Sequence, residues 1–348
     1  MIVGVDLERL RNVNSGLGQF CLHLAAGLLT QKRNDIHLHY YYPRNQTFNF
    51  DTEYSQIVFF DKIFGVKNRS LDLFHCTHQD SRLFPGSTPT VMTIHDLNFL
   101  EKYDSESKRR SRLAALQKKV SRAHGLAFIS KYTRDLAASH LKFPDVPLRV
   151  IYNGNCLSAT GAGSKPAGLP FDHFLFSIGI INPKKNMHTL IGIVKQSGIP
   201  LVLSGNNSHP YAAEIMDHAK AQGVSDKVYF TGPVTEPEKL WLYKNCRAFL
   251  FPSLAEGFGL PVVEAMSLGK PVFLSDKGSL PEIGGQLAYY WNHFDEAHMH
   301  DVFQKGMNDF ESQPEKRTAL IQWASQFSWE RAAADYLDFY SEVYTRLP

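Results

Sequence analysis

The sequence contains no hydrophobic run long enough to cross a bilayer. Its longest uncharged apolar runs are as short as Ala248–Phe251 and Pro271–Leu274, whereas a membrane-spanning helix needs about 18 apolar residues. The N-terminus reaches an acidic residue at Asp6, which fits a first β-strand and not a secretory signal. We therefore expect neither a transmembrane segment nor a signal peptide.

Cysteine is scarce. The four cysteines lie far apart and form no C-x-x-C pair: Cys21, Cys76, Cys156 and Cys246. Such spacing gives no disulfide framework and no zinc-ligand pattern. We expect reduced thiols in a cytoplasmic protein.

Several catalytic signatures are also missing. There is no Walker A sequence and no Gly-x-Ser-x-Gly elbow, which disfavours a P-loop enzyme and an α/β-hydrolase. The stretch from Gly16 to Cys21 lacks the third glycine of a dinucleotide fingerprint, so a dehydrogenase is a distant reading. No Asp is followed two positions later by another Asp, so the sequence shows no Asp-x-Asp metal site.

One cluster of histidines and one basic run are the sequence's candidates for a metal site and a nucleic-acid site. His298 and His300, with His293, Asp295 and Asp301 nearby, point about 200° apart on a helix, so we expect a solvated surface and no metal. The run from Lys108 to Arg122 holds seven basic residues in fifteen. No stacking aromatics interleave it, so we expect no nucleic-acid partner.

What the chain does contain is a globular composition over a two-domain length. It has 348 residues, of which 43% are hydrophobic and 20% charged, which suits two domains of roughly 150–200 residues. Strand-like runs alternate with helix-length stretches, which predicts parallel sheets in an α/β fold. The predicted strands are Ile2–Leu7, Ile36–Tyr42, Ile57–Phe60, Leu73–Cys76, Val91–His95, Leu126–Ile129, Arg149–Tyr152, Phe174–Ile178, Leu201–Ser204, Val228–Phe230, Ala248–Phe251 and Pro271–Leu274.

Glycine and proline mark the boundary between the two halves. Four glycines and two prolines lie between residues 153 and 170, a composition typical of a linker. We predict an N-terminal domain over 1–155, a linker over 156–171, a C-terminal domain over 172–326 and a terminal helix over 327–348. A bent helix pair is expected at the end, with an aromatic stripe of Tyr336, Phe339, Tyr340 and Tyr344.

Charge is unevenly divided along the chain. Residues 1–155 carry 21 Lys and Arg against 14 Asp and Glu, whereas residues 156–348 carry 16 against 20. A basic half favours an anionic partner, such as a membrane surface. Leu113, Leu116 and Val120 give the stretch Lys108–Arg122 an apolar stripe at helical spacing. It reads either as an ordinary core-facing helix or as a surface for anionic lipid.

The most informative stretch runs from Glu256 to Met266. It follows a predicted strand, its glycines permit close backbone approach, and Pro261 suits the start of a helix. The N–H groups of such a helix start form a site for phosphate. Glu264 then falls in the first turn, where its carboxylate could accept two hydrogen bonds from a ribose diol. As a plain alternative, Glu256 and Glu264 are a capping acid and a surface acid.

This Glu-x7-Glu element resembles the signature of retaining GT-B glycosyltransferases of the group 1/family 4 class. The resemblance extends over most of the chain in the family's order. It includes Ser15–Gly18, Thr93–Asp96, Val150–Gly154, Gly179–Asn186, Phe230–Val234 and Ser279–Ile283. It implies two Rossmann-like doubly wound domains facing a central cleft, with C-terminal helices crossing back to the N-terminal domain. One departure is Ile180, where many relatives have Arg.

The resemblance also implies roles for individual residues. Glu264 would bind the nucleotide ribose, Glu256 would face the donor sugar, and Lys185, with Lys184, would bind the diphosphate. His95 would lie beside the transferred sugar, next to Asp96 of the same motif. Gly16 and Gly18 would form a loop of the N-terminal domain that closes over the donor phosphates and the acceptor. The backbone N–H groups of Gly257, Phe258, Gly259 and Leu260 would hold the donor sugar and diphosphate, and the stretch from Thr231 to Val234 would lie by the base.

The function expected from this resemblance is transfer of a hexosyl group with retention of configuration. The donor would be a nucleotide diphosphate sugar, with GDP-mannose favoured and UDP-hexoses next. The acceptor would be a saccharide or lipid-linked saccharide of bacterial surface polysaccharide or lipopolysaccharide. No cofactor or metal is expected, because lysines and a helix dipole would stabilise the leaving diphosphate. A GT-B nucleotide-sugar epimerase and a non-catalytic sugar-nucleotide-binding protein remain as alternatives. The location would be cytoplasmic, peripheral on the membrane's inner face.

Overall fold

The computed structural model describes residues 1–31, 33–44, 50–68, 70–102, 105–158 and 160–347. Ala159 of the predicted linker and Pro348 of the predicted terminal helix lie outside these residues. The chain divides into two compact units. One comprises Met1–Gly154 with Phe327–Pro348, and the other comprises Asn155–Gln326.

The first unit is a parallel sheet with helices between its strands. Within the described residues the sheet has seven strands in the order β3-β2-β1-β4-β5-β6-β7. The strands are β1 Ile2–Asp6, β2 His37–Tyr42, β3 Glu53–Gln56, β4 Leu73–Cys76, β5 Thr90–Ile94, β6 Gly125–Phe128 and β7 Leu148–Val150. The helices are α1 Gly16–Thr30, α2 Phe59–Phe64, α3 Phe99–Lys102, α4 Glu106–Val120, α5 Lys131–His140 and the terminal α13 Trp329–Thr345, with a 3-10 turn at Glu8–Asn12.

The second unit repeats the architecture on a smaller scale. In the part of the chain that the structure describes, its parallel sheet has six strands in the order β10-β9-β8-β11-β12-β13. The strands are β8 Phe174–Ile178, β9 Leu201–Ser204, β10 Val228–Gly232, β11 Cys246–Phe251, β12 Val272–Ser275 and β13 Tyr289–Trp291. The helices are α6 Ile191–Ser197, α7 Tyr211–Ala221, α8 Glu236–Asn245, α9 Leu260–Ser267, α10 Leu280–Gly284, α11 Glu296–Ser312 and α12 Glu315–Ser325. Short 3-10 turns lie at Pro183–Lys185, Met187–Leu190, Ser225–Lys227 and Gly285–Leu287.

Both sheets confirm the predicted α/β, doubly wound fold class. Their central strands are buried on both faces, as expected for parallel strands that helices cover. In each sheet the chain first adds strands on one side of its first strand, and it later returns and adds the remaining strands on the other side. That reversal lies between β1 and β4 in the first unit and between β8 and β11 in the second.

The terminal helix belongs to the first unit. Gly27 of α1 allows the approach of α13, because a Cβ there would lie 2.9 Å from the carbonyl oxygen of Trp329. Tyr336 and Tyr340 place their hydroxyls 2.9 Å from Thr93 Oγ1 and 2.7 Å from His75 Nδ1. Burial lowers the pKa of His75 to about 3, so this imidazole is neutral and the network is uncharged.

Two sequence-based expectations for the first unit were wrong. The predicted strand Ile57–Phe60 is not a strand, because β3 ends at Gln56 and helix α2 begins at Phe59. The side chain of Asp61 accepts a hydrogen bond from the Val58 N–H at 2.8 Å and starts this helix. The expected bent helix pair is instead one continuous helix, Trp329–Thr345. Tyr344 is 43% exposed and lies outside the buried aromatic stripe.

Other differences concern the second unit. Strand β13 was not predicted, since three aromatic residues at a sheet edge carry little of the alternation that marks a strand. Part of the segment 156–171 lies against α8. The Ser164 N–H donates to the carbonyl of Pro237 at 3.1 Å, and Lys165 Nζ lies 5.6 Å from the Trp241 ring centroid.

Helix length and hydropathy bear on membrane spanning. Among the described residues, no helix combines the length and the apolar character that a bilayer crossing requires.

Candidate functional site

The second unit brings its predicted residues to one edge of the sheet. Lys185 follows β8 and Glu256 follows β11, and these two strands are hydrogen-bonded neighbours. The two strands are parallel, but the order in which strands are added to the sheet reverses between them. Such a reversal leaves a crevice beyond the carboxyl ends, where open α/β sheets bind ligands. The topology therefore places this lysine and this carboxylate at the expected binding position.

Lys185 is held by a tight turn over a glycine. Strand β8 leads into Gly179, where a Cβ would lie 3.2 Å from Lys185 Cε, so a larger residue would displace the lysine stem. The following turn ends at Asn186, whose φ of 55° is left-handed. The Leu254 N–H donates to the carbonyl of Lys184 at 2.9 Å. This bond ties the lysine turn to the loop after β11.

Glu256 is paired with that lysine. Its Oε1 lies 2.5 Å from Lys185 Nζ and also accepts a hydrogen bond from Ser253 Oγ at 2.5 Å. The lysine and glutamate side chains are only 15% and 14% exposed. Burial by itself raises the pKa of Glu256, but the positive charges of Lys185 and Lys184 and the hydrogen bonds from Lys185 and Ser253 outweigh it, so the pKa is lowered. The carboxylate is therefore ionised at neutral pH.

The loop between Glu256 and α9 has a fixed shape. Gly259 precedes the first helical residue, Leu260, and has a φ of 110°. Residues with an L side chain disfavour this backbone conformation. Ser279, in the segment after β12, stabilises this loop through two hydrogen bonds. Its N–H donates to the carbonyl of Glu256 at 3.1 Å and its hydroxyl to that of Phe258 at 2.7 Å.

A second glycine is needed beneath this loop. Gly278 has a φ of 63°, and a Cβ there would lie 2.7 Å from the Glu256 carbonyl oxygen. The backbone of residues 256–259 thus rests directly on residues 278–279. The N-terminal end of α9 is presented in a defined orientation, as a phosphate-binding helix start requires.

Glu264 is deeper than the sequence suggests. It is the fifth residue of α9, so it lies in the second helical turn and not in the first, and it is 4% exposed. Its Oε1 lies 3.0 Å from Lys239 Nζ, and its Oε2 accepts a hydrogen bond from the Tyr243 hydroxyl at 2.8 Å. Each carboxylate oxygen retains one acceptor position for a further donor.

Lys239 and Tyr243 are functional-site residues that sequence reasoning missed. They lie four apart on α8, on one helix face, and that spacing was the available signal. Burial by itself lowers the pKa of Lys239, but the charges of Glu264 and Glu236 outweigh it and raise the pKa, so Lys239 is a cation. Burial also raises the pKa of Tyr243, which stays a neutral donor.

The residues predicted near a base lie at the same sheet edge. Thr231 Oγ1 donates to Ser204 Oγ at 2.8 Å, which links the ends of β10 and β9. Val234 is half-buried two residues beyond β10. Ile180, in place of the arginine that many relatives have, is 60% exposed.

Polar atoms without partners flank the lysine turn. Within the described residues, Ser177 Oγ, Asn182 Oδ1 and Asn186 Nδ2 are buried and make no hydrogen bond. Buried polar atoms are normally satisfied. Two of these atoms belong to the residues that flank the lysine turn, and the third lies on β8, the strand that leads into it.

The predicted residues of the first unit lie around its own sheet edge. His95 directly follows β5 and is buried, and its Nε2–H donates to the carbonyl of Thr77 at 2.7 Å. Burial lowers its pKa to about 4, so the ring is neutral and Nδ1 is the unprotonated nitrogen. Asp96 is half-buried, and its Oδ1 accepts the N–H of Asn98 at 2.9 Å.

Gly16 and Gly18 do not form the expected loop. Both lie in the first turn of α1, and the Ser15 side chain caps this helix by accepting a hydrogen bond from the Gly18 N–H at 3.1 Å. A Cβ at Gly18 would lie 2.1 Å from the carbonyl oxygen of Asn12. Close packing against the preceding turn therefore explains Gly18, whereas Gly16 is exposed with open space around it.

Comparison with known families assigns both halves of the chain. Residues 169–327 match the family described as glycosyl transferases group 1, and residues 56–155 match glycosyltransferase family 4. The serotype-specific mannosyltransferase WbdA of Escherichia coli is 32% identical over 169 residues, which are 47% of this chain and 21% of WbdA. The chain thus covers about a fifth of that relative's length.

Two further proteins resemble the chain over more of their length. The O-antigen chain mannosyltransferase B of Escherichia coli is 26% identical over 268 residues, covering 72% of this chain and 69% of the relative. The solved structure of HepE from Anabaena, in complex with UDP-glucose, superposes with a TM-score of 0.72 at 16% identity, over 97% of this chain and 100% of HepE. At that identity the structural likeness establishes the shared fold.

Proposed function

Because this chain belongs to the group 1 glycosyltransferases, we propose that it transfers a hexosyl group from a nucleotide diphosphate sugar to a saccharide acceptor. The ion pair of Lys185 and Glu256 at the reversal point of the second sheet carries this proposal. It places a cation and an ionised carboxylate side by side, next to the start of α9.

The chemistry of the transfer needs these two charges. Breaking a sugar–phosphate bond leaves negative charge on the diphosphate, while positive charge builds on the ring carbon. Lys185, with Lys184 and the N–H groups at the start of α9, would stabilise the diphosphate. Glu256 would lie toward the sugar. These cations and dipoles supply the electrostatic role that a metal ion plays elsewhere, and we propose a metal-independent, retaining reaction.

The sugar and the pathway are proposed from the relatives. WbdA and the O-antigen chain mannosyltransferase B are mannosyltransferases by name, and the second is named for the O-antigen chain. We propose mannosyl transfer from GDP-mannose to a saccharide or lipid-linked saccharide in lipopolysaccharide O-antigen synthesis. The scarcity and wide spacing of the cysteines suit a cytoplasmic site for this step.

The first unit is proposed to serve the acceptor and the transferred sugar. His95, held neutral by burial, offers an unprotonated Nδ1, and Asp96 follows it at the carboxyl end of β5. Gly16, exposed at the start of α1, leaves space beside backbone N–H groups. These are groups that bind hydroxyls and phosphates.

We expect GDP-mannose to stabilise the protein and to be consumed in transfer. A ligand that binds only the folded state adds about 2.7 kcal/mol at a hundredfold excess over its dissociation constant. A panel of GDP- and UDP-sugars in thermal melts identifies the donor, and transfer to saccharide acceptors is then assayed with and without EDTA.

Each contrary result of this panel has a distinct meaning. Loss of transfer with EDTA and its recovery with Mg²⁺ or Mn²⁺ would refute metal independence. Conversion of the donor alone into an isomeric nucleotide sugar would identify an epimerase. Binding without turnover on any acceptor or donor would favour a non-catalytic binding protein.

Replacement of Glu264 by Gln tests the proposed ribose contact. A hydrogen bond to a charged group contributes about 1.5–3 kcal/mol, so we expect GDP and GDP-mannose to bind about 10- to 100-fold more weakly. Calorimetric titration measures this. Tyr243→Phe is the matched control. It removes the hydroxyl that donates a hydrogen bond to Glu264 Oε2, but it leaves the carboxylate charge and the ion pair with Lys239 intact. Equal affinities in Glu264→Gln and the unmodified protein would remove Glu264 from the site.

A further inference from the structure

Helix α2 of the first unit exposes an unusual number of large apolar side chains. Phe59, Phe60, Ile63 and Phe64 are 70%, 67%, 53% and 57% exposed, and no residue of this six-residue helix is buried. These three rings and one isoleucine present about 400 Å² of apolar surface to water. The largest apolar patch on a typical monomer measures about 300–600 Å² and often has a function, so this face is a candidate interaction site.

The helix is fixed in this exposed position by its two ends. At its start, Asp61 accepts the N–H of Val58. At its end, Gly65 has a φ of 74°, and a Cβ there would lie 2.2 Å from the carbonyl oxygen of Phe84. The next residue, Val66, is buried and donates its N–H to the carbonyl of Leu83 at 3.3 Å. The aromatic face is therefore presented on a firmly attached element.

Cationic groups lie close to this face. Lys67 is exposed, and its Nζ lies 5.0 Å from the ring centroid of Phe64. Arg122, at the end of α4, stacks on Phe84 at 5.1 Å and bonds to the carbonyls of Pro85 and Gly86. Residues 83–86 thus connect the end of α2 with Arg122, which lies two residues beyond α4, in the unit that carries the chain's excess of basic residues.

The basic run of α4 is itself largely occupied within the protein. Arg112 pairs with Asp80 at 2.9 Å, and Arg110 pairs with Glu106. Lys119 Nζ donates to the carbonyls of Gln79 and Ser81. Leu116 and Val120 on the same helix are buried. These contacts favour the reading of α4 as a core-facing helix, so its charges alone do not form a lipid surface.

We propose that α2 docks the first unit onto a bilayer that contains anionic lipid, with Phe59, Phe60, Ile63 and Phe64 entering the interfacial layer. Aromatic residues beside lysine are typical of elements that lie in this layer. The patch is about half the area of roughly 800 Å² per partner that a specific protein–protein interface buries. A lipid surface binds without shape complementarity, so a bilayer is a suitable partner for a patch of this small size.

Vesicle flotation of the full chain tests this proposal. We expect binding to phosphatidylcholine vesicles that contain phosphatidylglycerol, weaker binding without it, and at least a tenfold loss of partition in Phe60→Ser/Phe64→Ser. Both replaced rings are exposed, so the melting temperature and donor affinity should not change. Ile321→Ser, at a position 43% exposed on α12, is the matched control and should float like the unmodified chain.

Other results would overturn the proposal. Loss of flotation in Lys108→Gln/Lys118→Gln with normal flotation of the phenylalanine variant would assign the contact to α4. A dimer that Phe60→Ser/Phe64→Ser converts to monomer, without any vesicle binding, would assign the face to a second copy of this chain. Donor affinity is measured on the same samples, so failure here is separate from failure of the proposed transferase function.

Discussion

Replacement of Glu256 by Gln should lower turnover about 100- to 1000-fold, equivalent to roughly 3–4 kcal/mol of barrier for loss of one preorganised electrostatic group. The carboxylate is ionised because Lys185 and Lys184 lower its pKa against the effect of burial. Its negative charge lies where positive charge is proposed to build on the sugar. Gln keeps the shape of the side chain and removes that charge.

Donor affinity should respond differently from turnover. In this structure Glu256 Oε1 lies 2.5 Å from Lys185 Nζ, so an arriving diphosphate has to share this lysine with the carboxylate. Removing the carboxylate charge leaves Lys185 to the diphosphate alone. We therefore expect donor binding to be unchanged or a few-fold tighter. Turnover should still fall, because an interaction that is stronger in the transition state than in the ground state changes the rate.

The measurement needs turnover, donor affinity and melting temperature on one variant. The amide oxygen of Gln can still accept the hydrogen bond from Ser253, so the fold should persist. Glu311→Gln is the matched control, because Glu311 also forms an ion pair, with Arg247 at 3.1 Å, but is exposed on α11. Near-normal turnover of Glu256→Gln, or loss of activity only through a lower melting temperature, would show that Glu256 merely supports its loop.

The architecture could be predicted from the sequence because it follows local rules, whereas Lys185 was expected from the family resemblance and its role stays a prediction. Alternation of strands and helices specifies a parallel α/β sheet, and the order of strands places Lys185 and Glu256 at neighbouring carboxyl ends. Family membership was expected from the Glu-x7-Glu element and is confirmed. The direct ion pair was not predicted, since it joins residues 71 positions apart.

The errors have physical causes that a sequence does not display. Phe59 and Phe60 continue an apolar run, and such a run predicts a buried strand, yet the carboxylate of Asp61 begins a helix that leaves both rings in water. Gly18 was expected in a loop, but it lies in the first turn of α1, where a side chain would collide with the Asn12 carbonyl. In both cases the deciding contact is tertiary or depends on one side chain.

The partners of Glu264 likewise could not be predicted from the sequence. Lys239 and Tyr243 lie on α8 and are ordinary members of a helix by composition. Only the packing of α8 against α9 turns them into the two donors that hold a buried carboxylate. A carboxylate held by two donors keeps its orientation without a ligand, so the proposed ribose contact is preorganised.

Replacement of Lys185 by Met should reduce both turnover and donor affinity. The diphosphate is charged before the reaction and gains charge as the sugar bond breaks, so this lysine stabilises both states and the second more strongly. We expect donor binding to weaken about 10- to 100-fold, with a further loss in turnover of about 100-fold. Met keeps an apolar stem over Gly179 and Phe251, where Lys185 Nζ lies 4.7 Å from the ring centroid.

The same variant should change the dependence on pH, and this separates its role from structural support. Lys185 lowers the pKa of Glu256, so in the unmodified protein the active carboxylate persists to acidic pH and is lost only as pH falls through that lowered pKa. Without the lysine, burial dominates and the pKa of Glu256 rises. The acid limb of the pH–turnover profile should therefore move to higher pH in Lys185→Met. Lys184→Met is the control, because Lys184 lowers the same pKa less, and its profile should shift less. An unshifted acid limb with unchanged donor affinity in Lys185→Met would refute both the diphosphate role of Lys185 and its coupling to Glu256.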